Sequence, residues 1–325
     1  MLIAANGIEK AEVPAGTRAL TLLSDPLGVA VLQALARGPV SLADLHRAAG
    51  SVPQSTMRER LTILSKVGIL ERRRSNDFPG LVDVELTRPG YELLEVAEVV
   101  QGWLASAPEE PRLFGSVAAQ NAIKALVGSW AANIVRALAS RPLSLTELDR
   151  ALGLDYPSIQ RRLTAMRRVG QVRALPGRGR STPYAVTAWL RRAVVPMAAA
   201  IRWEGRHLQG QSSPVARRDA EAAFLLTIPL LRLSSELSGS CRLSVEFRGD
   251  AGSPAASVLI GVARGRVVSC AAYPEGHADA WVTGSSADWL AAMVEHDATL
   301  LAVGGEVDLA IQILKGLQES IAVSH

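Results

Sequence analysis

The sequence predicts a multidomain α+β protein: two copies of a helical unit that closes on a two-stranded hairpin, then an α+β domain with helices covering a mostly antiparallel sheet. Three observations predict it. The chain has 325 residues, enough for two or three domains at roughly 100–200 residues each. One segment recurs with a period near 100 residues, too long for a solenoid repeat and therefore a duplicated domain. Past residue 240 the apolar pattern changes from helical spacing to short alternating runs separated by Gly, Asp and Pro turns.

The repeat is direct. ALARGPVSLADLHRAAG (34–50) and ALASRPLSLTELDRALG (137–153) agree at ten of seventeen positions without a gap. One deletion later, MRERLTILSKVGIL (57–70) pairs with IQRRLTAMRRVGQV (159–172), ELT (85–87) with AVT (185–187), and Trp103 with Trp203. The predicted divisions are 1–108, 109–209 and 214–325.

Within the first unit, apolar residues at 27, 31, 32 and 35 give a helix over 27–36, ended by Gly38-Pro39. Ser41 is placed to N-cap a short helix over 42–49, with Asp44 at the capping-box position and Gly50 as terminator. A third helix runs from 53 to 67, with Met57, Leu61 and Leu64 on one face. Two short segments, 69–73 and 81–87, flank NDFPG and read as a hairpin. A long helix over 89–104 closes the unit. The second unit repeats the order: a helix to 139, then 144–152, 156–169, a hairpin around 176–183, and a helix to about 207.

Helix, short helix, helix and hairpin make a winged helix-turn-helix, whose third helix suits the DNA major groove. In detail both units resemble the HxlR family of bacterial regulators. The residues that carry this are RLTILSKVGILER (60–72), FPGLVDVELTRPGYELL (78–94) and Trp103 in the first unit, and Trp130, RRLTAMRRVG (161–170) and PYAVT (183–187) in the second. The first unit has Asp25-Pro26-Leu27 where the family has an early Trp, and the second lacks the Gly that follows its Thr. The family carries one unit per chain and dimerises, so the resemblance implies a homodimer. Two units in one chain suggest an internal pseudo-dimer instead.

Helical spacing also names the residues for double-stranded DNA. With Met57 facing the core, Ser55, Glu59, Thr62 and Lys66 point away, and Thr56 and Arg58 accompany them. With Ile159 as reference, Arg161, Thr164 and Arg168 point away, flanked by Ser158, Gln160 and Arg167. Arg and Gln are the usual bidentate readers of guanine and adenine edges, while Ser and Thr suit phosphates or either base. The second wing offers Arg173, Arg178, Arg180 and Ser181 around Gly179. The first offers Arg72, Arg73 and Arg74, diluted by Asp77, Asp83 and Glu85.

Charge is distributed to match. Residues 121–205 hold 14 basic and 4 acidic residues, against 12 and 14 in residues 1–120 and 9 and 13 in residues 206–325. The excess positive charge of the middle segment suits a polyanion. A winged helix can also serve protein contacts, and for the acidic first unit that alternative carries weight.

In the last third, QGQSSPVARRD (209–219) reads as a linker. An apolar helix over 220–237, interrupted by Pro229, precedes strand signals at 242–247, 255–263, 267–273 and 280–283 and helices at 285–296 and 307–321. Gly265-Arg266 is the candidate hairpin turn. GRVVSC (265–270), ADAWVTGSSADWLAAM (278–293) and VGGEVDLAIQIL (303–314) resemble sterol-carrier-protein-like domains, with Glu306 where Asp is common. This resemblance implies a tunnel between sheet and helices for a lipid or similar apolar ligand. The residues offered for it are Phe247, Val258, Ile260, Trp289, Met293, Ile311 and Leu314. A filled core is the alternative.

Several classes are excluded. Apolar residues make up 48% of the chain, ample for a packed core, so global disorder is out. Only 4% are aromatic, so Ala, Leu and Val must build that core. The apolar run 222–231 contains Thr227 and Pro229 and is shorter than the ~18 residues of a membrane span. The N-terminus lacks the basic and apolar regions of a signal peptide. Two cysteines, Cys241 and Cys270, fit a reducing cytoplasm. The five His residues show no metal-ligand spacing, and no nucleophile elbow or phosphate loop stands in a credible context. No cofactor, metal or catalytic activity is expected. The expectation is a cytoplasmic transcription regulator with an apolar-ligand sensing domain. The alternative is an apolar-ligand carrier whose winged helices bind protein.

Overall fold

The computed structural model describes residues 14–50, 52–74, 82–208, 214–247, 256–272 and 276–321. The first unit runs α1 (Thr17–Leu23), α2 (Pro26–Leu35), β1 (Val40–Ser41), α3 (Leu42–Ala48), α4 (Gln54–Lys66), β2 (Leu70–Arg74), β3 (Val82–Leu86) and α5 (Arg88–Ala105). The Asp25 carboxylate accepts the Gly28 N–H at 2.6 Å and, with Pro26 in the first turn, starts α2. Ser41 caps α3 through the Asp44 N–H at 3.2 Å.

The second unit repeats this order. Helices α6 (Val117–Ala131) and α7 (Ile134–Ser140) precede β4 (Leu143–Ser144), α8 (Leu145–Leu152) and α9 (Tyr156–Arg168). β5 (Val172–Ala174), a 3-10 turn (Gly179–Ser181) and β6 (Pro183–Val186) follow. The unit closes with α10 (Ala188–Arg191) and α11 (Val194–His207). Here the capping box is complete: the Glu147 carboxylate accepts the Ser144 N–H and hydroxyl, each at 2.8 Å. Asp44, one methylene shorter, engages the Ser41 hydroxyl instead.

Two differences from expectation in these units are local. Each hairpin gains a third strand, giving the orders β1-β3-β2 and β4-β6-β5. The added strands are two residues long and double as the entry to a helix, so no alternation announces them. The final helix of the second unit is split, because the Pro196 ring cannot follow an unbroken turn past the Arg192 carbonyl four residues earlier. The first wing's loop, 75–81, and the linker residues 209–213 lie outside the described residues.

The last third comprises α12 (Arg217–Thr227), a 3-10 turn (Ile228–Leu230), β7 (Gly239–Glu246), β8 (Ala256–Ala263), β9 (Arg266–Ala272) and β10 (Ala280–Ser285). Then come α13 (Ser286–Leu290), a π-helical turn (Ala291–Glu295), β11 (Ala302–Gly305) and α14 (Val307–Ile321). The helix expected over 220–237 stops where Pro229 removes a donor. The sheet has five strands in the order β11-β10-β7-β8-β9, with one parallel pair, β7 and β10. The hairpin turn is Arg264-Gly265, one residue earlier than expected. Both residues have positive φ, 50° and 70°, as a two-residue primed turn requires.

Two cores form. The first is continuous through both units, from Ala19 to Leu208. The second lies between the sheet and α12, α13 and α14. Helix α12 belongs to both: Ala222, Leu225 and Leu226 enter the first core, and Ala220, Phe224 and Ile228 enter the second. Its Glu221 is bound by Arg136 at 2.6 Å and Arg217 at 3.1 Å. The last third is thus joined to the second unit through a helix buried on both sides. Cys241 and Cys270 are free thiols in β7 and β9, and burial pushes them up to about 12 and about 11.

Candidate nucleic-acid interface

Helix α4 buries Met57, Leu61 and Leu64. Ser55, Thr56, Arg58, Glu59, Thr62 and Lys66 are all exposed. Thr62 donates its hydroxyl to the Arg58 carbonyl at 2.7 Å. Arg60, on the flank, is held at 2.6 Å by Asp25, the residue that caps α2. One carboxylate therefore fixes the start of α2 and its contact with α4.

Helix α9 has the same construction. Ile159, Leu163 and Met166 face inward, and Gln160, Arg161, Thr164, Arg167 and Arg168 are exposed. Asp155 caps it by accepting the Ser158 N–H at 3.0 Å. The hydrogen bonds from Ser158 hold that carboxyl below the usual carboxylate range. Ser158 is half-buried, less available than the other residues named on this helix. Gln160, Thr164, Arg167 and Arg168 line one side of a concavity whose far wall includes Tyr184 of β6. Helical spacing alone cannot reach Tyr184, because the strand brings it in from another part of the chain.

The second wing stands against the start of α9. The Arg180 guanidinium lies 5.3 Å from the centre of the Tyr156 ring. Ser181 donates to the Arg178 carbonyl at 2.7 Å, closing the 3-10 turn. Arg173, Arg178, Arg180 and Ser181 are exposed. None of Arg161, Arg167, Arg168, Arg173, Arg178 and Arg180 takes part in an ion pair among the described residues. On the first unit, Arg72 and Arg73 are exposed on β2, and Arg73 lies 3.6 Å from Glu85. The first face is thus partly neutralised and carries Glu59 at its centre.

The residues offered for an apolar tunnel do not form one wall. Val258, Ile260, Trp289 and Leu314 are buried in the second core, and Phe247 and Met293 pack partly buried against it. Ile311 is 37% exposed, on the outer side of α14, so it does not cover the sheet. The inward stripe of α14 is Leu309, Ala310, Ile313, Leu314 and Leu317, and Ile311 lies far round the helix from its centre. Trp289 and Met293 do line a small apolar cavity of about 90 Å³. It lies between α11 and α12, with Met197, Ile201, Ala223 and Phe224 among its walls. Trp289 is fixed by donating to the Ser244 carbonyl at 2.8 Å and by an edge contact with Phe224 at 4.9 Å.

No single helix among the described residues is long and apolar enough to cross a membrane. No group of three potential metal ligands occurs among them. No curated protein matches the chain. Residues 23–73, from the end of α1 into β2, match the family model of a helix-turn-helix domain, so this chain carries such a domain, and that suggests a DNA-binding regulator.

Proposed function

We propose that the chain is a cytoplasmic, non-enzymatic transcription regulator. Two winged helix-turn-helix units of the HxlR type, 1–108 and 109–209, dock on double-stranded DNA. A sterol-carrier-like domain, 214–325, senses an apolar, lipid-like small molecule. The observation that carries the DNA reading is the outward face of α9 and its wing, where six exposed arginines form no ion pair among the described residues. Unpaired guanidiniums on a groove-sized helix and an adjacent hairpin are what phosphate neutralisation and base reading require. The sensing reading rests on the apolar cavity between α11 and α12, whose volume of about 90 Å³ must widen to admit a lipid-like molecule. A ligand there touches the helix that closes the second unit and the helix shared by both cores, so its binding is coupled to their relative placement.

The test is a salt titration of DNA affinity with the full chain. With six to ten phosphate contacts, log K falls with log salt at a slope of roughly −5 to −9. Arg178→Ala and Arg180→Ala weaken all sequences alike, and Arg161→Ala also relaxes sequence preference. A slope near zero favours the carrier reading, in which the winged helices bind protein. For the sensor, apolar ligands that raise the melting temperature of the full chain must also change its operator affinity.

A further inference from the structure

The two units meet through contacts that repeat when the units are exchanged. The Trp103 indole N–H donates to the Trp189 carbonyl at 3.1 Å, and the Trp203 indole N–H donates to the Pro89 carbonyl at 2.8 Å. Trp203 follows Trp103, and Trp189 follows Pro89, by the same 100 residues. Residue i of one copy meeting residue j of the other, and the converse, is the mark of a two-fold interface. The chain therefore contains within itself the arrangement that a pair of single-unit chains would make.

The two reading helices align by their buried faces: Met57 with Ile159, Leu61 with Leu163, Leu64 with Met166. Their outward residues then pair by position but differ in chemistry. Arg58 corresponds to Gln160 and Glu59 to Arg161, while Thr62 and Thr164 are alike. All six are exposed. Arginine reads guanine, glutamine reads adenine, and a carboxylate accepts from the cytosine amino group while repelling phosphate.

We propose that a single chain reads a non-palindromic site made of two inverted but different half-sites. Glu59 and Arg161, at equivalent positions, set the difference. The half under α9 carries guanine at the Arg161 position, and the half under α4 carries cytosine opposite Glu59. This rests on the DNA-binding reading above. Two-fold placement of the helices dictates the inverted orientation, and half-sites lie about one helical turn or a multiple apart.

The test is selection from a random duplex library by the full chain, with the number of chains per bound duplex measured by mass. The wild type is expected to enrich one asymmetric bipartite motif at one chain per duplex. R58Q/E59R gives α4 the reading pair of α9 and is expected to turn the motif into an inverted repeat of the α9 half. Q160R/R161E is expected to give an inverted repeat of the α4 half. All four positions are on the surface, and either exchange suffices if the other fails to fold. A wrong base at the Arg161 position is expected to weaken wild-type binding about 5- to 150-fold. A palindromic wild-type motif, two chains per site, or a single half-site unchanged by R58Q/E59R overturns the proposal while leaving DNA binding intact. Enrichment of no sequence, with a flat salt response, overturns the DNA-binding reading itself.

Discussion

The indoles of Trp103 and Trp189 lie stacked 4.6 Å apart and 6° from parallel, and each ring N–H donates to the other residue's backbone carbonyl. The pair sits where α5 of the first unit meets α10 of the second, so one contact supplies apolar burial, stacking and two hydrogen bonds across the join. Arg112, in the connection between the units, lays its guanidinium 4.4 Å from the Trp189 ring centre and donates to the Val169 carbonyl at 2.9 Å.

The two halves of the pair are not equivalent, and this makes the first prediction. The Trp103 carbonyl also accepts from Ser106, through the hydroxyl at 2.9 Å. The Trp189 carbonyl has only the Trp103 indole among the described hydrogen bonds. W103F therefore strands a buried acceptor, at a cost of about 1–3 kcal/mol beyond lost packing, whereas W189F strands none. Urea unfolding should rank W103F as the less stable variant. Equal midpoints would show that the carbonyl finds water.

A second prediction concerns acid. The Glu147 carboxyl is drawn down to about 2, first by the Ser144 backbone N–H, then by hydrogen bonds from Arg141 and the Ser144 hydroxyl. A folded value below the ordinary 4.5 means the stabilisation is complete above that pH and is lost as pH falls towards 2. Melting temperature should drop through this window in the wild type and drop less in E147Q. Asp44 is lowered too, by Ser41 and Arg47, so part of the acid response should survive in E147Q. Identical slopes for wild type and variant would remove Glu147 from the account.

Helices α4 and α9 were legible because their buried residues recur at helical spacing: Met57, Leu61 and Leu64, and again Ile159, Leu163 and Met166. Ser41 and Ser144 announced the helices before them. Elements with no room for a period were not legible. β11 is four residues, two of them glycine, and β1 and β4 have two residues each. Ile311 reads as core by type, and only the centre of the α14 stripe shows that it faces out. At the candidate site, exposed arginines were foreseen by position. The Arg60–Asp25 pair, the Arg180–Tyr156 contact and Tyr184 beside α9 depend on which elements pack together, which local pattern does not encode. The sequence repeat aligned Trp103 with Trp203, but the contact is with Trp189, because a two-fold join brings equivalent residues to opposite partners.

A third prediction tests the join between α7 and α12. The Glu221 side chain is wholly buried, while Arg136 is 35% exposed. R136A leaves a buried carboxylate with Arg217 alone and should cost about 1–3 kcal/mol, below the value for a fully buried pair because Arg136 reaches water. Removing the carboxylate as well relieves that charge. In a double-mutant cycle by chemical denaturation, R136A/E221A should therefore be more stable than the sum of the single losses. Simple additivity would mean the two side chains are not coupled.

The last prediction concerns Gly90, in the first turn of α5. A Cβ at this position would collide with the Ile69 carbonyl oxygen and come within 3.0 Å of the Leu86 side chain. The carbonyl is held in place because it accepts from the Thr87 N–H at 3.1 Å, while the Thr87 hydroxyl donates chiefly to the neighbouring Gly68 carbonyl. Alanine in a helix is worth up to about 1 kcal/mol over glycine, but overpacking against fixed backbone costs about 1–3 kcal/mol, so G90A should destabilise. At Gly128 of α6 and Gly205 of α11 an added methyl would meet nothing within 4 Å, and there the propensity gain stands unopposed. Thermal melts should place G90A below the wild type and G128A and G205A at or above it. Because α5 also presents the Pro89 carbonyl to Trp203, G90A should in addition alter the near-ultraviolet circular dichroism of the tryptophans, which the two control substitutions should leave unchanged.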